Sequence, residues 1–360
     1  MHVSHLWLTD FRNYASAELI PAPAGLTVVM GSNGEGKTNL LEAVGYLATL
    51  RSFRGAPAEA LVRVGAERAV VRAEAERDRR HLLIEAELHP AGRDRVQVNR
   101  QPLRRVRDLL GVIDVTVFAP DDLSLVKGGP QGRRDYLDDL LVAIAPRHDA
   151  LRSDVERILR QRNALLKQAA GTSRPGPDIL ATLDVWDRQL ADRGEALVEA
   201  REGLVATLGP RVGAGYDRVA ARAADVRLAY QRSWAGGLAA ALGAARSDDL
   251  RRGVTTVGPH RDDLVVTLSR MPSRTHASQG EQRSLALALR LAGHTLVAEA
   301  TGTSPVLLLD DVFSELDRHR SEALLEALPA GQSLLTTAGA VPAAARPDLV
   351  VRIEDGKLLA

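Results

Sequence analysis

The sequence predicts an α/β protein in which both ends of the chain form one lobe and the middle forms an inserted helical lobe. An apolar run, Leu26 to Met30, leads through a glycine-rich segment into a helical sequence. A second apolar run, Val306 to Leu309, is followed by two aspartates. The middle of the chain carries few β signals and is typical of helices. We therefore assign 1–119 and 254–360 to the α/β lobe and 120–253 to the helical lobe.

The first third of the chain is rich in strand patterns. Residues 2–8 alternate apolar and polar side chains, which predicts a half-buried strand. Apolar runs separated by turn residues predict a meander of strands over 69–77, 81–89 and 93–99. A short helix over 102–110 and a strand over 112–118 follow. The last third predicts strands over 226–230, 264–268, 306–309, 333–337 and, at the sheet edge, 349–353, and helices over 280–300 and 318–328.

Two long amphipathic helices are predicted in the middle of the chain. Over 146–170, apolar residues recur on one helix face, and Arg162 interrupts that face. Beyond a loop over 171–177 that is rich in Gly, Pro and Ser, leucines recur every seven residues at Leu183, Leu190, Leu197 and Leu204. This spacing predicts either an antiparallel hairpin arm or two helices of a local bundle.

The composition excludes several functional classes. No cysteine is present, so the chain has no disulfide, no thiolate metal site and no thiol nucleophile. The net charge of +1 does not by itself indicate nucleic-acid binding. Only four of the 47 basic side chains are lysine, and the arginines that make up the rest pair well with phosphate. No run approaches ~18 apolar residues, and the N-terminus lacks a signal-peptide core. We therefore expect a cytoplasmic protein that does not associate with membranes.

The segment Gly31-Ser32-Asn33-Gly34-Glu35-Gly36-Lys37-Thr38 matches the phosphate-binding P-loop. Its glycines permit tight turns, so that successive backbone N–H groups converge on a phosphate. The helix that follows adds its positive N-terminus. Lys37 is expected to reach the β- and γ-phosphates of ATP, and the Thr38 hydroxyl to bind Mg²⁺. The alternative is a glycine turn that caps an ordinary helix.

The other half of a nucleotide site is expected where a buried strand ends in a carboxylate. Asp310 and Asp311 follow the apolar run that ends at Leu309. Asp310 is expected to bind Mg²⁺ through water, and Asp311 to polarise the attacking water as a base. The alternative is an ordinary turn after a core strand.

A third segment, Ser278-Gln279-Gly280-Glu281-Gln282, lies at the start of the helix predicted over 280–300. Ser278 and Glu281 fit a capping box, an explanation that does not require Gly280. The segment precedes the aspartate strand, and Ser314-Glu315-Leu316-Asp317 follows that strand. This order favours a functional motif over a simple helix cap.

In this order, the P-loop, the SQGEQ segment, the strand ending in two aspartates and the SELD segment resemble the ABC-type ATPase heads, within the branch of SMC and recombination-repair proteins. Further blocks resemble the RecF family of bacterial recombination mediators. These blocks span nearly the whole chain: Leu8 to Tyr14, Gly31 to Asn39, Phe118 to Arg134, Gly258 to Leu264, and Leu308 to Asp317.

The resemblance implies an ABC-type P-loop ATPase head with an inserted helical lobe, and its signature helix, 278–300, is a candidate for packing with that helical lobe. It also implies an ATP-dependent homodimer. In it, Arg12 and the P-loop of one protomer hold ATP, and the signature, Ser278 to Gln282, of the other contacts the γ-phosphate. Asp317 then belongs to the D-loop, and hydrolysis releases the dimer.

The resemblance further implies DNA as a partner, bound at junctions of single and double strands without sequence specificity. RecR and RecO-like proteins are the implied protein partners, and RecA is reached indirectly. Candidate phosphate contacts are Arg51, Arg54, Arg104, Arg105, Arg107, Arg133 and Arg134. The alternative is that these are ordinary solvated arginines of an arginine-rich protein.

Three positions depart from the wider ABC pattern. Ala119-Pro120 stands where many such ATPases have a glutamine, Thr336-Thr337 where many have a γ-phosphate-sensing histidine, and Asp311 replaces a glutamate. We therefore expect slow ATP turnover that serves as a switch. The alternative functions are a free-standing ABC-type ATPase subunit of a transporter and a small-molecule kinase that uses the P-loop.

Overall fold

The computed structural model describes residues 1–170, 176–220, 222–339, 341–354 and 356–359. Most of the loop predicted over 171–177 lies outside the described residues. In chain order the strands and α-helices are β1 (His2–Phe11), β2 (Tyr14–Leu19), β3 (Gly25–Met30), α1 (Lys37–Thr49), β4 (Ala69–Arg77), β5 (Arg80–Leu88), β6 (Arg95–Val98), β7 (Gln101–Pro102), β8 (Val115–Phe118), α2 (Leu123–Lys127), α3 (Pro130–Ile144), α4 (His148–Ala169), α5 (Pro177–Ala220), β9 (Val226–Gln231), α6 (Leu238–Arg252), β10 (Asp263–Leu268), β11 (Met271–Pro272), α7 (Ser273–His276), α8 (Gln279–Thr301), β12 (Val306–Asp310), α9 (Arg318–Ala327), β13 (Gln332–Thr337), β14 (Leu349–Glu354) and β15 (Lys357–Leu359).

The chain divides into two compact units. Unit 1 comprises Met1–Leu123, Val212–Ala224 and Ser278–Ala360, and unit 2 comprises Ser124–Arg211 and Asp225–Ala277. This division differs from the predicted limits in three places. Residues 120–123 lie in unit 1. Residues 254–277 lie in unit 2, because β10 pairs along its length with β9. The last turns of α5 lie in unit 1, because Val219 packs in the same core as Leu287 of α8.

The central sheet of unit 1 has the strand order β15-β14-β3-β13-β12-β8. Strands β14, β3, β13, β12 and β8 are parallel, and β15 pairs antiparallel with β14 at the edge. The strand predicted at the edge, β14, is therefore an interior strand, because the short β15 covers it. Strand β13 lies between β3 and β12, so the carboxyl ends of the P-loop strand and the aspartate strand flank the end of β13.

A second sheet of unit 1 is antiparallel, with the order β2-β1-β4-β5-β6-β7. It contains the predicted meander, and the short helix predicted over 102–110 is instead β7 followed by a 3-10 turn over Val106–Leu109. In β1 the register shifts between Val3 and His5, which places Val3 and Leu6 both on the buried face although they are three residues apart.

Helix α1 is buried around most of its circumference because it contacts strands of both sheets. Leu40, Leu41, Val44 and Leu47 are each no more than 1% exposed, and they share one core with Phe11 of β1. A helix that is apolar on most sides is typical of such a buried position. Burial of α1 therefore fixes the P-loop, which immediately precedes it, between the two sheets.

The signature helix α8 belongs to unit 1 and does not lie in unit 2. Leu287 and Leu291 of α8 pack with Phe118 at the end of β8, Leu309 of β12 and Val219 of α5. A Cβ atom placed on Gly215 of α5 would lie 3.5 Å from the Cα of Ala288, so the backbones of α5 and α8 pack closely here.

Unit 2 combines helices with a three-stranded antiparallel sheet of order β11-β10-β9. The leucines predicted to share one face of α5 are all buried, at positions 183, 190, 197 and 204. The helix predicted over 146–170 is α4, which contacts α3 and α6. The two long helices are therefore part of a packed bundle and do not form a free arm.

The arginine that interrupts the apolar face of α4 is the centre of this bundle. Arg162 is fully buried. Its Nε donates to Asp187 Oδ1 on α5 (2.6 Å), and its Nη1 donates to Asp249 Oδ2 on α6 and to Thr255 Oγ1 (both 2.8 Å). Asp249 is also fully buried, so the two charges depend on each other for compensation.

We expect Arg162→Ala to lower the free energy of unfolding by about 3–5 kcal/mol, because it leaves the Asp249 carboxylate buried without its counter-charge. The control is Arg160→Ala on the same helix, whose side chain is 69% exposed and lies 4.0 Å from Glu156. It should change the stability by less than about 0.5 kcal/mol. Urea unfolding followed by circular dichroism measures both. Equal stability losses in the two variants would contradict the structural role of Arg162.

Candidate nucleotide-binding site

The P-loop connects the end of β3 to the start of α1. Gly34 and Gly36 have φ values of 93° and 106°, in the left-handed region that favours glycine. Gly36 is also sterically required, because a Cβ atom there would lie 2.5 Å from Asn13 Nδ2 and 2.8 Å from Tyr14 Oη. Residues 32–34 at the tip of the loop are exposed, so their backbone N–H groups are accessible to a ligand.

Lys37, the first residue of α1, lies over the loop. Its Nζ donates to the carbonyl oxygens of Gly31 and Ser32, both at 2.8 Å, and its side chain is buried. A lysine ammonium has three donors, so one remains for an anion held by the loop. The buried charge, the loop N–H groups and the N-terminus of α1 together form a positive site that suits a phosphate group.

Residues at the turn between β1 and β2 support the P-loop by hydrogen bonds and close contacts. Asn13 Nδ2 donates to the Glu35 carbonyl oxygen (2.9 Å), and Asn13 Oδ1 accepts from Asn39 Nδ2 (2.7 Å). The Glu35 carboxylate accepts from the backbone N–H of Gly356 (3.2 Å), so this side chain supports the loop. Burial and the nearby Glu35 charge raise the pKa of Tyr14. Asn13 and Tyr14 are site residues that the loop pattern alone did not identify.

Arg12, which was expected to bind ATP, has a structural role in this arrangement. Its Nε and Nη2 donate to the two carboxylate oxygens of Glu42 on α1, both at 2.7 Å, and its Nη1 donates to the Ala60 carbonyl (2.9 Å). Glu42 is fully buried and also accepts from the Ser52 hydroxyl. The guanidinium is therefore bound to protein oxygens on three of its nitrogens, because it neutralises a buried carboxylate.

The predicted magnesium ligands lie together at the ends of β12 and α1. Thr38 Oγ1 donates to Asp310 Oδ1 at 2.7 Å. Burial raises the pKa of Asp310, while hydrogen bonds from the hydroxyls of Thr336 and Thr38 act in the opposite direction. Hydroxyl and carboxylate oxygens are the ligands that Mg²⁺ prefers. Across the described residues no group of three or more His, Cys, Asp and Glu side chains could hold a metal, so nucleotide and water oxygens would complete this site.

Asp311 adopts a strained backbone conformation, with φ at 47°. Its backbone N–H donates to both the carbonyl oxygen and the hydroxyl of Thr336, each at 3.1 Å. Among the described residues, no hydrogen-bond partner is present for its buried carboxylate oxygen Oδ1. A carboxylate oxygen without a protein partner suits a base that takes a proton from water.

The signature segment forms the N-terminus of α8 as a capping box. Ser278 Oγ accepts from the Glu281 N–H (3.3 Å) and donates to Glu281 Oε2 (2.8 Å), and the Ser278 N–H donates to the same carboxylate oxygen (2.7 Å). Ser278 and Gln279 are exposed, whereas Gln282 is buried within unit 1. Only the first residues of the motif are therefore accessible to another molecule.

Gly280 lies against the side chain of Arg320. A Cβ atom there would lie 2.8 Å from Nη2 of Arg320, whose guanidinium covers the start of α8. Arg320 pairs with Asp317, the N-cap of α9, which accepts the Arg320 backbone N–H at 2.9 Å. The predicted signature and D-loop residues are thus neighbours within unit 1.

Comparison with known proteins matches residues 2–336 to the model of the RecF/RecN/SMC N-terminal domain. A protein of Streptomyces avermitilis named DNA replication and repair protein RecF is 47% identical over 94% of this chain and 93% of its own. The protein of the same name from Frankia alni is 47% identical over 94% of this chain and 93% of its own.

The chain belongs to the RecF family.

Solved structures agree with this. One described as the recombination mediator protein RecF with ATP, in the RecFOR pathway, matches with a TM-score of 0.90 and 29% identity over 100% of this chain and 98% of its own. An SMC head bound to a domain of ScpA matches with a TM-score of 0.59 and 15% identity over 100% of this chain and 97% of its own, which shows the ABC-type fold alone. RecF membership favours a repair protein over the transporter-subunit and kinase alternatives.

Two of the arginines proposed to contact DNA are internal in this RecF-family chain. Arg133 donates to both carboxylate oxygens of Asp263, at 2.7 and 2.9 Å, and is 5% exposed. Arg134 donates to the Asp262 carbonyl oxygen at 2.6 Å, and burial lowers its pKa. Burial and pairing argue against these two assignments, because the guanidinium groups join α3 to Asp262, which precedes β10, and to Asp263, its first residue.

The other arginines are exposed. Arg54 lies near the nucleotide site, since its Nη1 donates to Asn39 of α1 (3.4 Å) and its charge acts on Asp310. The side chains at 51, 104, 105 and 107 are exposed and stay candidates for DNA phosphates. Across the described residues no helix is long and apolar enough to cross a membrane.

We expect Arg12→Ala to lower stability by about 3–5 kcal/mol, because it leaves Glu42 buried and unpaired, while the mutant that remains folded binds ATP normally. The control is Arg63→Ala, which removes a half-exposed pair with Asp10 in the same region and should cost about 0–1 kcal/mol. Thermal unfolding and ATP titration calorimetry measure the two effects. A large loss of ATP affinity without a change in melting temperature would restore Arg12 to the nucleotide site.

Proposed function

We propose that this protein is an ATP-gated DNA-binding recombination mediator. It binds ATP and Mg²⁺, dimerises on ATP, binds gapped DNA at junctions of single and double strands, and helps to load RecA together with RecR and RecO-like proteins. Its processes are DNA repair, replication restart and SOS induction in the cytoplasm. The observation that carries the proposal is the hydrogen bond of P-loop Thr38 to Asp310 beside the P-loop lysine, which assembles both halves of a nucleotide site.

Each half has a separate task in this proposal. The P-loop N–H groups and Lys37 bind and orient the phosphates. The ends of the β-strands exclude water on the side of the site that faces the sheet. Thr38 and Asp310 would hold Mg²⁺, which would neutralise charge on the phosphate oxygens. Asp311 accepts a proton from the water that attacks the γ-phosphate.

Slow turnover fits the residues around this base. The loop after β8 offers Ala119 and Pro120, neither of which has a side chain able to position water. Asp311 is one methylene shorter than the glutamate expected in many ABC-type heads. We therefore propose that slow ATP hydrolysis sets the lifetime of the dimer and does not power movement.

The signature supports a site shared between two protomers. Ser278 and Gln279 are exposed at the start of a long helix, and their positive helix end suits a γ-phosphate that another chain holds. ADP lacks that phosphate, so hydrolysis removes the ligand that joins the two chains.

Ser278→Arg should leave ATP binding by each monomer intact but block dimerisation, because bulk then stands where two chains must close on one γ-phosphate. Lys37→Met should abolish ATP binding and dimerisation. In a mixture, each mixed pair keeps one complete site, made from the intact P-loop of the first variant and the intact signature of the second. Light scattering at rising ATP concentration should therefore show partial rescue in the mixture and none in either variant alone.

Ser278→Ala is the matched control for the helix cap, since it removes the cap without adding bulk. It should cost about 1 kcal/mol of stability and weaken the dimer less than the arginine does. Dimerisation of Ser278→Arg at the wild-type ATP concentration would contradict the shared site.

For DNA, we expect Arg51→Ala and the double variant Arg104→Ala/Arg105→Ala to reduce affinity for gapped DNA uniformly across sequences. Each lost phosphate contact should lower the slope of log affinity against log salt by about 1. Arg133→Ala should instead lower the melting temperature, because Asp263 loses its partner, and leave the salt slope of the folded fraction unchanged. A reduced salt slope at unchanged melting temperature in Arg133→Ala would return that residue to the DNA surface.

A further inference from the structure

Two threonines end β13, at the place where many ABC-type heads have a γ-phosphate-sensing histidine. Because β13 lies between β3 and β12, its last residues must lie between the P-loop and the two aspartates. The register pairs Thr336 with Asp310 on one side and with Val29 on the other. Thr336 is fully buried at this point.

One hydroxyl group contacts both aspartates. Thr336 Oγ1 donates to Asp310 Oδ1 at 2.7 Å and accepts from the backbone N–H of Asp311 at 3.1 Å. A hydroxyl has one donor and can accept as well, so this pair of bonds uses both of its capacities. Few side chains other than serine and threonine could make both bonds in so small a space.

We propose that Thr336 is a positioning residue for ATP hydrolysis, which sets the magnesium-binding carboxylate and the catalytic base with a single hydroxyl. This inference rests on the proposed ATPase function. In this role Thr336 acts through Asp310 and Asp311 and not as a ligand of ATP or of the attacking water.

The bond to Asp310 fixes which oxygen faces the metal site. Oδ1 accepts from Thr38 and Thr336 together, both at 2.7 Å. Two hydroxyl donors on one oxygen define the rotation of the carboxylate and favour its charged form. Loss of one donor frees that rotation, and the loss of such outer partners of a metal ligand typically weakens metal binding or activity about 10–100-fold.

The bond to Asp311 holds a residue in a conformation that it would otherwise avoid. Asp311 is left-handed, and its N–H is shared between the carbonyl oxygen and the hydroxyl of Thr336. The same Thr336 hydroxyl thus bonds a carboxylate oxygen of Asp310 and the backbone N–H of Asp311. Without the hydroxyl, the turn keeps only the carbonyl bond.

The stiffness of threonine adds to this role. A β-branched side chain has few χ1 rotamers, and strand positions suit it. The methyl group fills buried space, while the hydroxyl stays aimed at β12. Serine can make the same bonds with less restriction, and valine has the shape of threonine without the hydroxyl.

The neighbouring residue provides a matched control. Thr337 is also buried at the end of β13, but its hydroxyl accepts from the Gly339 N–H at 3.1 Å and so belongs to the loop beyond the strand. Thr337→Val therefore removes a buried hydroxyl of the same strand without touching either aspartate.

The experiment compares Thr336→Val, Thr336→Ser and Thr337→Val in the full chain. Three quantities are measured: the single-turnover rate of ATP hydrolysis, the Mg²⁺ concentration for half-maximal ATP binding by calorimetry, and the melting temperature. Thr336→Val should lower the rate about 10–100-fold and raise the Mg²⁺ requirement about tenfold. Thr336→Ser should remain within about threefold of wild type on both, and Thr337→Val should match wild type.

A further readout separates positioning from folding. Because Thr336→Val still binds ATP, it should accumulate the ATP-bound dimer in light scattering, which a merely destabilised chain would not do. If Thr336→Val does not fold, Thr336→Ala provides the same test, because it also removes the hydroxyl while Thr336→Ser keeps it.

Equal rates and Mg²⁺ requirements in wild type and Thr336→Val would overturn the inference and leave the ATPase proposal intact. Equal losses in Thr336→Val, Thr336→Ser and Thr337→Val would also overturn it, since packing and not the hydroxyl would then be responsible. A wild-type protein that neither binds nor hydrolyses ATP would contradict the proposed function itself.

Discussion

The hydrogen bond from Thr38 to Asp310 joins residues 272 positions apart, and most of the architecture follows from bringing them together. Each residue ends or begins an element that belongs to the central sheet or packs on it. The sheet can place the P-loop beside the aspartates only if the last third of the chain returns to flank β3. Most of the chain between these two parts of unit 1 forms unit 2. The nucleotide site at the carboxyl ends of these strands thus takes residues from both ends of the chain, and unit 1 is therefore discontinuous.

Buried arginine side chains that pair with carboxylate or carbonyl oxygens join segments within each of the two units. The Phe-Arg-Asn-Tyr block places Arg12 on Glu42, and the Gly258 to Leu264 block supplies the partners of Arg133 and Arg134. In unit 2, Arg201 donates to both carboxylate oxygens of Asp138 at 2.7 Å. Removing one partner of such a pair leaves the other charge buried without its counter-charge. The sequence blocks that distinguish this family are therefore used largely for internal pairing, and the number of arginines says little about DNA.

The parts of the fold that the sequence predicted are those that a local pattern determines. The P-loop with its strand and helix, the aspartate strand and β4, β9 and β10 fall within a residue or two of the expected ranges, because burial imposes a regular period on each. Helix α6, residues 238–252, was not predicted, since it is rich in alanine and its apolar face is short. Strands β2 and β15 each pair with the strand just before them, but they were missed because at least half of the residues of each are exposed and show no clear apolar pattern. The fates of Arg12 and Arg133 could not be read from sequence, because a buried arginine and an exposed one differ only in the carboxylate that tertiary structure brings to them.

The signature segment illustrates how one set of atoms serves stability and a proposed switch. Hydrogen bonds from the Ser278 N–H and hydroxyl keep the pKa of Glu281 low, so a carboxylate stands at the very helix end that would receive a γ-phosphate. The Ser278 hydroxyl has one proton, and it can donate to Glu281 or to a phosphate but not to both. In the proposed dimer, phosphate binding must therefore open the capping box, at a cost of about 0.5–2 kcal/mol for each helix. A dimer with one ATP site gains the binding free energy of one site against that cost. A symmetric dimer gains the binding free energy of two sites when it closes. The cap thus raises the cost of closing each site, so a dimer with two complete sites should form more readily than a mixed pair with one, and assembly depends on ATP as a switch requires.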